Sequence, residues 1–246
     1  MACCLNRRAL LAAPVFLPLA AAQAADAPIE PRLRLASPPS GGRSVVLTFD
    51  ACPGAFDMRI AATLVERRIP ATIFVTGLWL SWNRQGLAYF LAHPDIFGFE
   101  NHGARHIPAI LGKRTIFGLP VAGDLPAIDA EITQGQAAIT AATGATPRWY
   151  RSAAGYYTPS VIPEIHRLGF GIGGYSLSAD VGASLPAAAV AGRMAAARNG
   201  DVIVAHINQP HRPSGLGVVE GLGALQRSGT RFLRLDQLNP SALAGA

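Results

Sequence analysis

The stretch SVVLTFDACPG, residues 44–54, joins an apolar, β-branched run to an acid and then to a Cys-Pro-Gly turn. Residues 44–49 read as a strand, with Asp50 at its carboxyl end. The same unit recurs outward along the chain. Residues 57–68 form a helix with Ile60, Leu64 and Val65 on one face, stopped by Pro70. A second strand follows over 71–76, then a helix around 87–91 and a third strand over 96–100. Residues 107–123, with several Gly and Pro, read as a loop-like insert. A helix over 129–143 ends at Gly144, which suits a left-handed cap. The rest alternates in the same way: strand 148–151, helix from Thr158-Pro159 to Leu168, strand 170–176, helix 184–198, strand 202–206, helix 218–226 and strand 231–235.

Six or seven strands alternating with helices indicate a parallel α/β domain, either a barrel or a doubly wound sheet. No G-x-G-x-x-G follows the first strand, which argues against a dinucleotide-binding sheet. Polar or ionisable residues stand just after successive apolar strands: Asp50, His102, Arg151, Ser178 or Asp180, and His206. In an α/β barrel such positions converge at the carboxyl mouth, where active sites form.

Composition agrees with a single domain. The chain has 246 residues, half of them hydrophobic and only 15% charged, which excludes a disordered tail protein. Its 26 Gly and 19 Pro exclude a coiled coil. The net charge is +6, carried by scattered Arg with Lys113 the only Lys, so no nucleic-acid surface is expected. Residues 1–24 read as a signal peptide: Arg7-Arg8, an apolar run over 10–22, and Ala22-Gln23-Ala24 as a cleavage site. Its removal takes two Arg and lowers the charge from +6 to +4. Cys3 and Cys4 leave with it, so Cys52 is the sole mature cysteine and no intrachain disulfide forms. A periplasmic or secreted location follows, without stable membrane insertion. Residues 25–42, rich in Pro, Ala, Ser and Gly, read as a flexible lead-in.

Each strand end allows two readings from its residues alone. Asp50 is either a cap or a general base. His102 and His106 share a face if residues 101–106 are helical, and imidazoles so placed bind a divalent ion such as zinc. Arg151 grips a carboxylate or decorates a rim. Tyr156 and Tyr157 stack on a sugar or pack in the core. Asp180 orients a histidine or closes a turn. His206 is a general acid or a satisfied core residue, and His211 reads as a loop residue.

In this order the elements resemble the polysaccharide deacetylase family, the NodB-homology domain of carbohydrate esterase family four. The resemblance covers residues 44–238 and places the domain at 43–240. The motif T-F-D-D-G reads Thr48-Phe49-Asp50-Ala51-Cys52 here. H-[ST]-x-x-H is matched by His102 to His106, and R-x-P-[FY]-G by Arg151 and Gly155. The D-x-x-D-W region is degenerate around Asp180, and L-x-H is matched by Val204-Ala205-His206. The resemblance implies a distorted (β/α)7-type barrel and a metal-dependent removal of N-acetyl groups from an amino-sugar polymer. It implies Asp50 as base and His206 as acid, with Arg151 holding Asp50 and Asp180 holding His206. A backbone N–H near Ala154 stabilises the oxyanion. It implies a divalent metal, zinc, on His102 and His106. The family's second motif-one acid is Ala51, so the third ligand is expected to be Asp50, with Cys52 the alternative and more often an inert residue. Two other readings stay open: a metal-free amidohydrolase on a small cyclic amide, motivated by Ala51, and a carbohydrate-binding relative that has lost catalysis.

Overall fold

A computed structural model describes residues 27–245; the expected signal peptide, with Cys3 and Cys4, lies outside the described residues. In chain order the first half contains β1 (Arg34–Leu35), β2 (Ser44–Ala51), α1 (Met58–Glu66), β3 (Ala71–Val75), α2 (Gly77–Trp82), α3 (Arg84–Leu91) and β4 (Phe97–Asn101). The middle contains β5 (Thr115–Ile116), β6 (Leu119–Pro120), α4 (Leu125–Thr143), β7 (Trp149–Tyr150), α5 (Ile162–Arg167), β8 (Gly171–Ile172) and β9 (Leu177–Ser178). The last part contains α6 (Ala187–Ala195), β10 (Val202–His206), α7 (Ser214–Arg227), β11 (Arg231–Leu233) and β12 (Leu243–Ala244).

Seven strands form a curled parallel sheet in the order β8-β7-β4-β3-β2-β10-β9, with β11 pairing alongside the first half of β2. This is a distorted (β/α)7-type barrel. Its strands alternate as the two-residue period of a strand demands. On β2, Val45, Leu47, Phe49 and Ala51 pack under the helices in the outer core. Val46 faces inward with Phe74, Trp149 and Val202, and Thr48 and Asp50 continue its face toward the carboxyl end. The register sets Asp50 beside His206 of β10 and beside Phe74 of β3.

The caps explain where helices begin. Asp57 accepts a hydrogen bond from Arg59 N (3.1 Å) at α1, and Thr76 accepts one from Trp79 N (3.1 Å) at α2. Asp124 accepts one from Ala127 N (2.9 Å), so α4 starts four residues before the expected Asp129 and ends as expected at Gly144, φ +70°. The helix expected at 218 starts at Ser214. The strand expected over 170–176 shrinks to Gly171–Ile172, because the backbone past it turns through Gly173 and Gly174, whose carbonyls serve the site below. The 107–123 insert carries the small hairpin β5–β6.

The expected flexible lead-in is corrected in its described part. Ile29 exchanges two backbone hydrogen bonds with Tyr157 (2.8 and 2.9 Å), and β1 pairs β12. Leu33 and Leu35 are buried in the inner core. Two leucines at strand spacing overrode a Pro-rich, polar composition. Among the described residues no helix is long and apolar enough to cross a membrane.

Candidate active site

A cavity of about 880 Å³ opens at the carboxyl ends of the strands, lined among others by Asp50, Cys52, His102, His106 and His206. Asp50 is 6% exposed. Its Oδ1 accepts from Arg151 Nη1 at 2.6 Å, and its Oδ2 lies 3.8 Å from His102 Nε2. Burial pushes this carboxyl up, but Arg151, His102 and His206 together pull it below the usual carboxylate range. Arg151 is itself held on every side. Its Nε donates to Gly173 O (2.6 Å), its Nη2 to Thr48 Oγ1 (3.1 Å), and its guanidinium lies 3.9 Å from the Phe74 ring centroid. A guanidinium so fixed positions Asp50 and has no freedom to grip a ligand.

His102 Nδ1–H donates to the Arg151 carbonyl at 2.8 Å, which leaves Nε2 facing the cavity. Cys52 Sγ stands 3.4 Å from that nitrogen. Burial pushes the Cys52 thiol up, yet His102 and His106 beside it bring it well below the ordinary thiol range. Burial pushes His102 down, and Asp50 and Cys52 more than reverse this. The imidazoles do not meet through a helix. β4 ends at Asn101, Gly103 turns the chain at φ +85°, and His106 itself adopts φ +68°. The rings pack edge to face with centroids 4.8 Å apart.

Cys52 Sγ and one nitrogen of each of His102 and His106 lie within 4.8 Å of one another. Zinc bonds of ordinary length at tetrahedral angles set donors about 3.5 Å apart, so this trio fits zinc with a small contraction. One thiolate and two imidazoles also match the borderline-soft character of zinc. Asp50, the expected third ligand, lies outside this trio and its Oδ1 accepts from Arg151, while Cys52 is the donor that stands with both histidines.

His206 closes β10. Its Nδ1–H donates to Asp180 Oδ1 (2.9 Å), and its backbone N–H donates to Asp180 Oδ2 (2.7 Å). Burial lowers the affinity of this imidazole for a proton, but Asp180 raises it well above the ordinary histidine range. Asp180 is fully buried and starts a turn through Val181, Gly182 and Ala183, all at positive φ.

Ala154 and Tyr156 line the cavity, Ala154 at φ +62° in a one-turn kink. Tyr157 does not reach it. This residue is 1% exposed, its hydroxyl accepts from Ser152 N (2.9 Å) and donates to Tyr150 O (3.0 Å), so it is a core residue and not a sugar platform. Facing Tyr156 instead is Phe117 at the β5–β6 hairpin, 78% exposed, with ring centroids 5.8 Å apart. Thr48, Tyr175 and Glu131 also serve the site and were not singled out by sequence. Glu131 had a legible signal: it sits at helical spacing among Ile128, Ile132 and Gly135 on the buried stripe of α4.

A parallel barrel with ionisable groups from several strands gathered in one mouth is the usual setting of an α/β-barrel active site. The model of the polysaccharide deacetylase family matches residues 37–173, more than half of the chain, and the chain belongs to that family. No curated protein matches the sequence. Among solved structures, the peptidoglycan N-acetylglucosamine deacetylase Bc1960 is 20% identical with a TM-score of 0.65, over 81% of this chain and 89% of that one. The peptidoglycan deacetylase PdaC from Bacillus subtilis is 20% identical with a TM-score of 0.64, over 80% and 90%. BA3943, a family-four pseudoenzyme from Bacillus anthracis, is 18% identical with a TM-score of 0.61, over 80% and 66%. At these identities the likenesses speak for the fold.

Proposed function

We propose that this chain is a metal-dependent N-deacetylase of an amino-sugar polymer, working in the periplasm or outside the cell. The observation that carries the reading is the pairing of two oppositely prepared groups on adjacent strands. Asp50 is kept ionised by Arg151, and its register partner His206 is kept protonated by Asp180. Cys52, His102 and His106 would hold zinc beside them. When bound, zinc supplies Lewis acidity toward the acetyl carbonyl and the attacking water.

The residues do the rest. Asp50 takes the proton from the water as it attacks the amide carbonyl. Arg151 keeps the carboxylate aimed and charged. The backbone at Ala154, which lines the cavity, offers an N–H toward the developing oxyanion. His206 hands its proton to the sugar nitrogen as the C–N bond breaks, and Asp180 stabilises the imidazolium until then. Acetate and a free amino sugar leave.

Family membership and the two peptidoglycan deacetylase neighbours support the polymer, and the leader-like N-terminus supports export. The metal-free alternative rests on Ala51, and Cys52 supplies the donor that Ala51 lacks. The test combines elemental analysis with acetate release from chitin oligomers and peptidoglycan. We expect about one zinc per chain and chelator-sensitive release. Release that persists in metal-free protein would overturn the metal role. No release from either polymer by zinc-loaded protein would overturn the deacetylase reading.

A further inference from the structure

The turn that carries both histidines is held from outside by one buried acid that the chemistry above does not use. Glu131 on α4 is 1% exposed, and its Oε1 accepts from Arg105 N (2.7 Å) and Ile107 N (3.1 Å). These two N–H groups flank His106. The Glu131 backbone carbonyl also accepts from Ala104 N (2.9 Å). Asn101 locks the other end of the turn, its Oδ1 accepting from Gly103 N (2.8 Å) and its Nδ2 donating to Ile132 O (2.9 Å). A side chain on Gly103 would collide with Glu131 Oε1, so the acid and the turn are fitted to each other.

The other carboxylate oxygen, Oε2, is buried without a hydrogen bond, and Arg105 Nε stands 3.7 Å away. A buried carboxylate with one unpartnered oxygen is a costly way to brace a loop. The turn needs such a brace because His106 adopts the left-handed φ of +68°, which a non-glycine residue holds only when its surroundings impose it.

We propose that Glu131 is the positioning residue for His106: by gripping the N–H groups on both sides, it holds the imidazole at the Cys52–His102 pair. This rests on the metal reading above. Oxygen Oε1 is the working atom, so a glutamine, which keeps an acceptor there, substitutes for the acid, while alanine does not.

The test uses the full chain with Glu131→Ala and Glu131→Gln. Zinc affinity is measured by competition with a chromophoric chelator, the visible spectrum of the cobalt-substituted protein is recorded, and amide exchange is followed at Arg105 and Ile107 in metal-free protein. Loss of a group that orients a metal ligand typically weakens metal binding about 10–100-fold. We expect that loss in Glu131→Ala, with an altered cobalt spectrum and faster exchange at the two amides. Glu131→Gln should stay within about threefold of the parent, by the same reasoning. Gly103→Ala attacks the contact from the turn side and should weaken zinc binding similarly, which keeps the test alive where Glu131→Ala fails to fold. Unchanged affinity and exchange in Glu131→Ala would overturn the proposal. Equal loss in Ala and Gln variants would also overturn it, by assigning the effect to charge. A parent protein that binds no zinc would sink the metal reading instead, and slow exchange lost only in Glu131→Ala would still establish the grip.

Discussion

The domain holds two layers of buried or part-buried polar side chains, and they have different surroundings. In the upper layer, Asp50, His102 and His206 line an open cavity, and Arg151 holds Asp50 beneath it. The lower layer contains Thr72 of β3, Glu100 of β4 and Asp236, which follows β11. Thr72 Oγ1 donates to Asp236 Oδ1 (2.5 Å), Arg234 Nη2 pairs with Asp236 Oδ2 (2.5 Å), and Glu100 Oε2 accepts from Arg148 N and Trp149 N (2.7 Å each). The lower carboxylates are hydrogen-bonded by their own chain and line only a smaller cavity of about 300 Å³, whereas the upper groups Asp50, His102 and His206 line the large one.

Substitutions in the two layers should separate activity from stability. The largest effect is expected for Asp50→Asn. The amide still accepts from Arg151 but cannot take a proton, so turnover of an N-acetylated oligomer should fall on the order of 10²–10⁴. Full acetate release by this variant would erase the distinction drawn for the upper layer. His206→Ala should come next, with a loss of about 10² on the amide, at the low end of that range. An activated aryl acetate, whose leaving group needs no proton, should be less impaired. Equal losses on both substrates would make His206 a structural residue like those below it.

In the lower layer, Gly98→Ala should change stability alone. Its new methyl group would collide with the Asp236 carboxylate, which Arg234 pins in place. Overpacking of this kind costs about 1–3 kcal/mol, visible in the urea midpoint, while turnover per folded molecule stays as in the parent. A fall in turnover without loss of stability would show that the layers are coupled.

The last contrast is a change of slope with pH. Burial pushes Glu100 up to about 8, against the opposing pull of the Trp149 and Arg148 N–H groups. The unfolded chain ionises near the ordinary 4.5 while the fold keeps the proton. Stability from this group is therefore complete below that value and lost as pH rises through about 8. Glu100→Gln cannot ionise, so its stability should fall less between pH 5 and 9 than the parent's. Parallel urea-midpoint curves would show that Glu100 does not titrate in the fold.

The sequence by itself determined a parallel α/β domain, with the choice of a barrel resting on the family resemblance, and the strand ends that carry chemistry. Both follow from local patterns: two-residue alternation in the strands, apolar faces on the helices, and Asp50, His102, Arg151 and His206 one step beyond apolar runs. It also brought Asp180 into view as the partner of His206. Tertiary structure alone decided which atoms meet. Cys52 stands with the two histidines, while Arg151 reaches across from the end of β7 to Asp50. His106 arrives through a left-handed turn gripped by Glu131 from α4, not through a helix. Tyr157 turns into the core, where its hydroxyl meets the nearby Ser152 and Tyr150 backbone, and Leu33 and Leu35 dock because neighbours distant in sequence offer a strand edge and an apolar pocket. Periodicity fixes the face on which a side chain emerges. The partner it meets depends on packing between segments separated along the chain, 26 residues for Glu131 and Arg105 and 101 for Asp50 and Arg151, and no local propensity carries that information.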